Sequence, residues 1–159
     1  MTKEELIELL KEYKENKAKL NLKLKELKSA RIELKACDDI EINTTSTYGE
    51  NQNIHSKNKI SNKVLSKIEE NEIRRLKLKE EIDNLEEIVK ELRAKVEAVE
   101  DRLIGLKYKE RELLVAYYID GRTAENISRT LYYDMYQRNC TPRYIQKVIE
   151  KATNKMINI

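Results

Sequence analysis

Thr141-Pro142-Arg143-Tyr144-Ile145-Gln146-Lys147-Val148-Ile149-Glu150-Lys151-Ala152-Thr153-Asn154-Lys155-Met156 reads as one helix with two unlike faces. Ile145, Val148, Ile149, Ala152 and Met156 fall at i, i+3, i+4, i+7 and i+11, an apolar stripe, while Arg143, Gln146, Lys147, Lys151 and Lys155 lie off it. Thr141 can accept a hydrogen bond from the first turn, and Pro142 stands where a missing N–H costs nothing, so the spacing predicts a helix over about 142–157. An isolated amphipathic helix of this kind is more often a solvated surface helix than a reader of DNA. Its neighbours change that weighting.

Two shorter helices are predicted just before it: Glu110 to Asp120, ended by Gly121, and a second opened by Thr123. Three short helices with a single Gly between the first two are the parts of a helix-turn-helix unit. In that setting the outward residues of the third helix acquire a chemistry. Arg can read guanine and Gln adenine through paired hydrogen bonds, whereas Lys suits phosphates. The candidate DNA contacts are therefore Arg143, Tyr144, Gln146, Lys147 and Lys151 on the third helix, Thr141 at its cap, and Arg129 and Arg138 upstream.

The run Arg111-Glu112-Leu113-Leu114-Val115-Ala116-Tyr117-Tyr118-Ile119-Asp120-Gly121-Arg122-Thr123-Ala124-Glu125-Asn126-Ile127-Ser128 resembles the opening of region 4 of sigma-70-type factors. Thr141 to Ala152 is similar to that family's recognition helix, with Ile145 at its usual Val position and Ala152 at its usual Ala. The whole chain looks like the small sigma-like regulators of Firmicutes phages and prophages, including late-transcription activators. The resemblance implies a transcription regulator of a phage or prophage, double-stranded DNA as partner, RNA polymerase as a second partner, and Tyr117 or Tyr118 in the core; the two cysteines without a pairing motif and the polar start of the sequence predict the cytoplasm, here of a bacterial host cell. Two departures stand out. Ser128 replaces the family's Ala on the second helix, and Tyr132 to Cys140 is an insertion before the recognition helix, which either extends the second helix or forms a wing.

Outward from this unit the chain is dominated by heptads. Ile82, Val89, Val96 and Leu103 form one series and Leu85, Leu92, Val99 and Leu106 the other, an a/d seam with mostly β-branched residues at a and mostly Leu at d. Arg75 roughens the seam upstream, at an a position. Earlier, Leu6, Tyr13, Leu20, Leu27 and Leu34 recur every seven residues from a helix capped by Thr2, with Leu9, Leu10, Leu24, Ala30 and Cys37 beside them. Two such helices can close as an antiparallel hairpin, or the second can pair with another copy as a homodimer. Both arrangements are open, although the a/d residues lean toward two-stranded pairing. Between them a polar loop is expected over about 38–61, rich in Asn, Thr, Ser and Lys.

The fold expected is all-α: coiled-coil helices over 1–106, then a three-helix helix-turn-helix domain over 107–159. Charge follows this division. From Lys107 onward ten Lys/Arg face six Asp/Glu, a net +4, which leaves 22 against 23 and a net −1 for the first 106 residues. The basic end is where nucleic acid would bind. With 38% charged residues, no Trp or Phe, three Gly and one Pro, apolar residues are buried along helical seams rather than in a thick centre.

Other chemistry finds little support. There is no Gly-rich phosphate loop and no Ser/His/Asp or Cys/His arrangement, so no enzyme is expected and no cofactor. His55 is the only histidine, and Cys37 and Cys140 lie far apart without metal-ligand spacing, which predicts free thiols and no metal. No apolar run is long enough to span a bilayer, so no membrane partner is expected. Two other readings remain beside the regulator: a DNA-packaging protein of the small terminase type, and a structural coiled coil that binds no nucleic acid.

Overall fold

A computed structural model describes residues 1–38 and 57–158 of the chain, with side chains for 1–37 and 66–158. Helix makes up 88% of these residues and no strand occurs among them, so the fold is all-α. In order the elements are α1 (Lys3–Asp38), α2 (Lys57–Ile104), α3 (Tyr108–Leu114), a π-helical turn (Val115–Ile119), α4 (Ala124–Arg129), α5 (Leu131–Tyr136) and α6 (Pro142–Ile157). Most of the expected polar loop, with His55, lies outside the described residues. Its last part does not, and there the expectation fails: residues 57–61 are already helical.

The opening of α1 is a reciprocal cap. Glu5 N donates to Thr2 Oγ1 at 3.2 Å while Thr2 N donates to Glu5 Oε2 at 2.8 Å, satisfying two N–H groups that the first turn leaves orphaned. The heptad positions then decide which faces meet. Leu20, Leu27, Ala30 and Cys37 of α1 and Ile82, Leu85, Val89, Val96, Val99 and Leu103 of α2 are all buried; Leu34 and Leu92 are half-buried. The two long helices pair within one chain and run antiparallel. The apolar seam therefore buries itself without a second copy.

By contact the chain forms two compact units, Met1–Asn21 with Lys90–Ile159, and Leu22–Val89. Among its described residues the second unit consists of these two paired helices. Its flanks carry the pairs Arg31 to Glu86 at 2.7 Å and Arg74 to Glu33 at 3.4 Å, and Asn71 Nδ2 donates to the Cys37 carbonyl at 3.1 Å. Asn71 occupies a d position, so a hydrogen bond to backbone stands where an apolar contact would otherwise be. Ile73 and Leu76 beside it are exposed, in line with the rough seam expected around Arg75.

The first unit joins the N-terminal turns of α1 to the C-terminal helices. Leu6, Leu10, Val99, Leu103, Leu106, Leu114, Ala152 and Met156 make one buried cluster, to which α1, α2, α3 and α6 all contribute. Polar pairs reinforce it at the rim. Tyr13 donates to Glu100 at 2.6 Å and Lys17 reaches the same carboxylate at 2.8 Å; Lys14 meets Asp120 at 2.8 Å and Lys3 meets Glu150 at 3.2 Å. Gly105 and Leu106 form the turn after α2, and because Leu106 is itself buried the turn is held against the cluster.

A second cluster lies among the C-terminal helices: Leu113, Ala116, Ala124, Ile127, Tyr132, Ile145 and Ile149. Tyr118 packs against both clusters and Tyr117 against this one, each half-buried. The expected single helix Glu110 to Asp120 is instead α-helical to Leu114 and then widened by one residue, with Asp120 N donating to the Val115 carbonyl at 2.9 Å. Gly121, at φ +68°, reverses the chain, and Arg122 N closes the end on the Ala116 carbonyl at 2.9 Å.

Candidate nucleic-acid interface

α6 is built as its pattern requires. Thr141, extended at ψ 150°, accepts from Tyr144 N at 3.3 Å, and Pro142 follows in the first turn. Ile145, Ile149, Ala152 and Met156 are at most 2% exposed and Val148 is half-buried, so the whole predicted stripe faces the protein. One position on this face escaped the pattern. Thr153 is fully buried because its hydroxyl donates to the Ile149 carbonyl at 2.9 Å, hiding the one polar atom that burial would penalise. α6 rests against both α3 and α4.

α4 is positioned by the same device. Thr123 Oγ1 accepts from Asn126 N at 3.2 Å, and Ser128, buried where the resembling family has Ala, sends its hydroxyl to the Glu125 carbonyl at 2.8 Å. The insertion is neither a straight extension nor a wing. The chain breaks at Thr130 and forms the separate helix α5, which ends at Gln137 in the left-handed region, φ 53°.

α5 is a tyrosine shelf. Tyr132 stacks on Tyr136 with centroids 4.4 Å apart, and its edge meets Tyr144 of α6 at 5.9 Å. Lys109 lies 3.9 Å over the Tyr136 ring and donates to the Met135 carbonyl at 3.0 Å, tying α3 to α5. Burial holds the Tyr132 and Tyr136 hydroxyls and the Cys140 thiol above their ordinary ranges, Tyr144 adding to the effect on both tyrosines. They stay protonated at neutral pH. Tyr132 and Tyr136 thus serve mainly packing, while Tyr133 is exposed.

The candidate contacts divide into three groups. Arg143, Tyr144, Lys147 and Lys151 are exposed on α6, and among the described residues no ion pair engages Arg143, Lys147 or Lys151. The one carboxylate on that helix, Glu150, is matched by Lys3, and Lys155 is turned to Glu110. Gln146 sits at the edge of the same helix, in a groove with the turn before α4. Arg129 and Arg138 stand apart from this row. Arg129 pairs with Glu125 of its own helix at 2.6 Å, and Arg138 is exposed in the connection between α5 and α6.

Among the described residues no group of His, Cys, Asp and Glu is arranged to hold a metal ion, and no helix is long and apolar enough to cross a membrane. Comparison of the chain with family models, curated proteins and solved structures finds no match.

Proposed function

We propose that this chain is a DNA-binding transcription regulator whose helix-turn-helix, formed by α3 with its π turn, α4 and α6, presents α6 to the major groove. One observation carries the reading: α6 is sealed on one side and bears Arg143, Lys147 and Lys151 on the other, without a competing carboxylate partner among the described residues. A surface helix kept only for solubility gains from mixed, self-paired charge, as α1 does between Lys19 and Glu15. Unpaired cations beside one another repel, and that repulsion is relieved when a polyanion supplies phosphates. The resemblance to sigma region 4 extends the proposal to a phage or prophage setting and to RNA polymerase as a second partner.

The test is a duplex selected from a randomised pool, titrated against a scrambled one at two salt concentrations. Arg143→Ala or Gln146→Ala should relax sequence preference by about 1–3 kcal/mol, the worth of a paired base contact. Lys147→Ala and Lys151→Ala should weaken all duplexes alike and lower the salt slope by about one phosphate each. A wild-type chain that binds no duplex above background would overturn the proposal in favour of a structural helical protein.

A further inference from the structure

Beside Gln146, within the first compact unit, runs an open groove of about 730 Å³. Ile7 and Lys11 of α1 form one wall; Tyr117, Arg122, Thr123 and Gln146 line the rest. Three segments far apart in sequence meet here.

The charged residues of its lining are both cations, Lys11 and Arg122. Asp120 is shared by Lys14 at 2.8 Å and Arg122 at 4.0 Å, and Glu150 is taken by Lys3 at 3.2 Å. Lys11 is exposed and makes no ion pair among the described residues. Lys11 thus stands unpaired on the α1 wall, and Arg122 shares its one carboxylate with Lys14. Thr123 adds a donor. Its oxygen already accepts from Asn126 N, which leaves its O–H free for an anionic oxygen. Ile7 and the Tyr117 ring supply apolar surface between these polar groups.

We propose that this groove holds the sugar–phosphate backbone of one DNA strand, so that α1, and not only the C-terminal helices, is part of the DNA-binding surface. The proposal rests on the reading of α6 as the base-contacting helix. Lys11 and Arg122 meet successive phosphates from opposite walls, Thr123 donates to one of them, and a deoxyribose lies against Tyr117 and Ile7. Backbone contacts of this sort fix where along the duplex a reading helix sits without themselves reading sequence. Gln146, at the junction of groove and helix, then faces the base next to the held strand.

The experiment uses the full chain and a fluorescently labelled duplex at about 50 and about 200 mM salt, the range over which phosphate contacts change affinity most visibly. Lys11→Ala and Arg122→Ala should each weaken selected and scrambled duplexes equally and lower the slope of log affinity against log salt by about one. Lys11→Arg should restore the slope, and Lys19→Ala, on the same helix but paired with Glu15, should leave it unchanged. Circular dichroism of each variant checks that the helices are intact. If Lys147→Ala and Lys151→Ala lower the slope while Lys11→Ala and Arg122→Ala do not, the groove holds no DNA and the function stands; an acidic peptide is then its better occupant. If the wild-type chain binds no duplex, function and groove assignment fall together.

Discussion

Replacing Leu10 by Ala tests whether the N-terminal helix is part of the same folded unit as the C-terminal helices. Leu10 is wholly buried, and its cluster includes Leu6, Val99, Leu103, Leu114, Ala152 and Met156. The substitution removes three carbon groups, worth about 2.4 kcal/mol at about 0.8 kcal/mol each. A cavity term adds to this, because walls drawn from four helices cannot all close on the gap, and comparable Leu→Ala changes span about 2.7–5 kcal/mol. A loss of about 3–4 kcal/mol is expected, at least a hundredfold in the ratio of folded to unfolded chain, with each factor of ten worth about 1.4 kcal/mol. Urea unfolding followed by far-ultraviolet circular dichroism and by near-ultraviolet tyrosine signal is the assay. Tyr117, Tyr118, Tyr132 and Tyr136 report on the C-terminal helices, and their transition should shift to lower urea with the helical one. Leu22→Ala, at a position 56% exposed, should change little. A helical transition that moves while the tyrosine transition stays in place would refute the shared core, as would a loss below about 1 kcal/mol.

Gly121→Ala should lower stability by about 1 kcal/mol, since a Cβ at φ +68° meets no neighbouring atom and the cost is backbone strain alone; a melting-temperature drop of about 2–4 °C would register it. Thr141→Ala should cost about 1 kcal/mol by removing the side-chain cap and leaving Tyr144 N only its 2.9 Å bond to the Thr141 carbonyl, whereas Thr141→Ser should retain most of that stability in the same thermal melt. For Glu100, the Lys17 ammonium and then the Tyr13 hydroxyl hold the carboxyl below its ordinary range. Its contribution is therefore present above the unfolded carboxylate pKa and disappears as pH falls through the lower folded value, so Glu100→Gln should flatten the acid limb of a stability–pH curve. With both partners about half exposed the effect should be small, and a variant with an unchanged acid limb would show that the pair contributes nothing. At the alkaline end burial, then Glu100, raise the Tyr13 phenol, so that contribution holds below the unfolded phenol pKa and is lost as pH rises through the higher folded value.

What depends on period and on local chemistry could be read from the order of the residues. Ile82, Val89, Val96 and Leu103 are buried because a seven-residue repeat puts them on one helix face wherever that helix lies. Thr2, Thr123 and Thr141 cap because a hydroxyl before a first turn finds an orphaned N–H within three residues. The outward row of Arg143, Lys147 and Lys151 was legible for the same reason. Periodicity names a face but not its partner, and the tertiary structure decided the partners. The a/d residues lean toward two-stranded pairing, yet the seam closes within one chain, where the second helix is already tethered nearby.

Leu6, Ile7, Leu9 and Leu10 made the first turns of α1 apolar over more than a coiled-coil seam needs, a sign of an additional neighbour. Only the fold identified that neighbour as Ala152 and Met156. The π turn, the Tyr132–Tyr136 stack and the groove between Lys11 and Arg122 left no periodic trace, because each depends on contacts between segments or on a single residue's hydrogen bond. Local rules act over three or four residues. A surface assembled from residues 7, 11, 117, 122 and 146 exists only after the chain has packed.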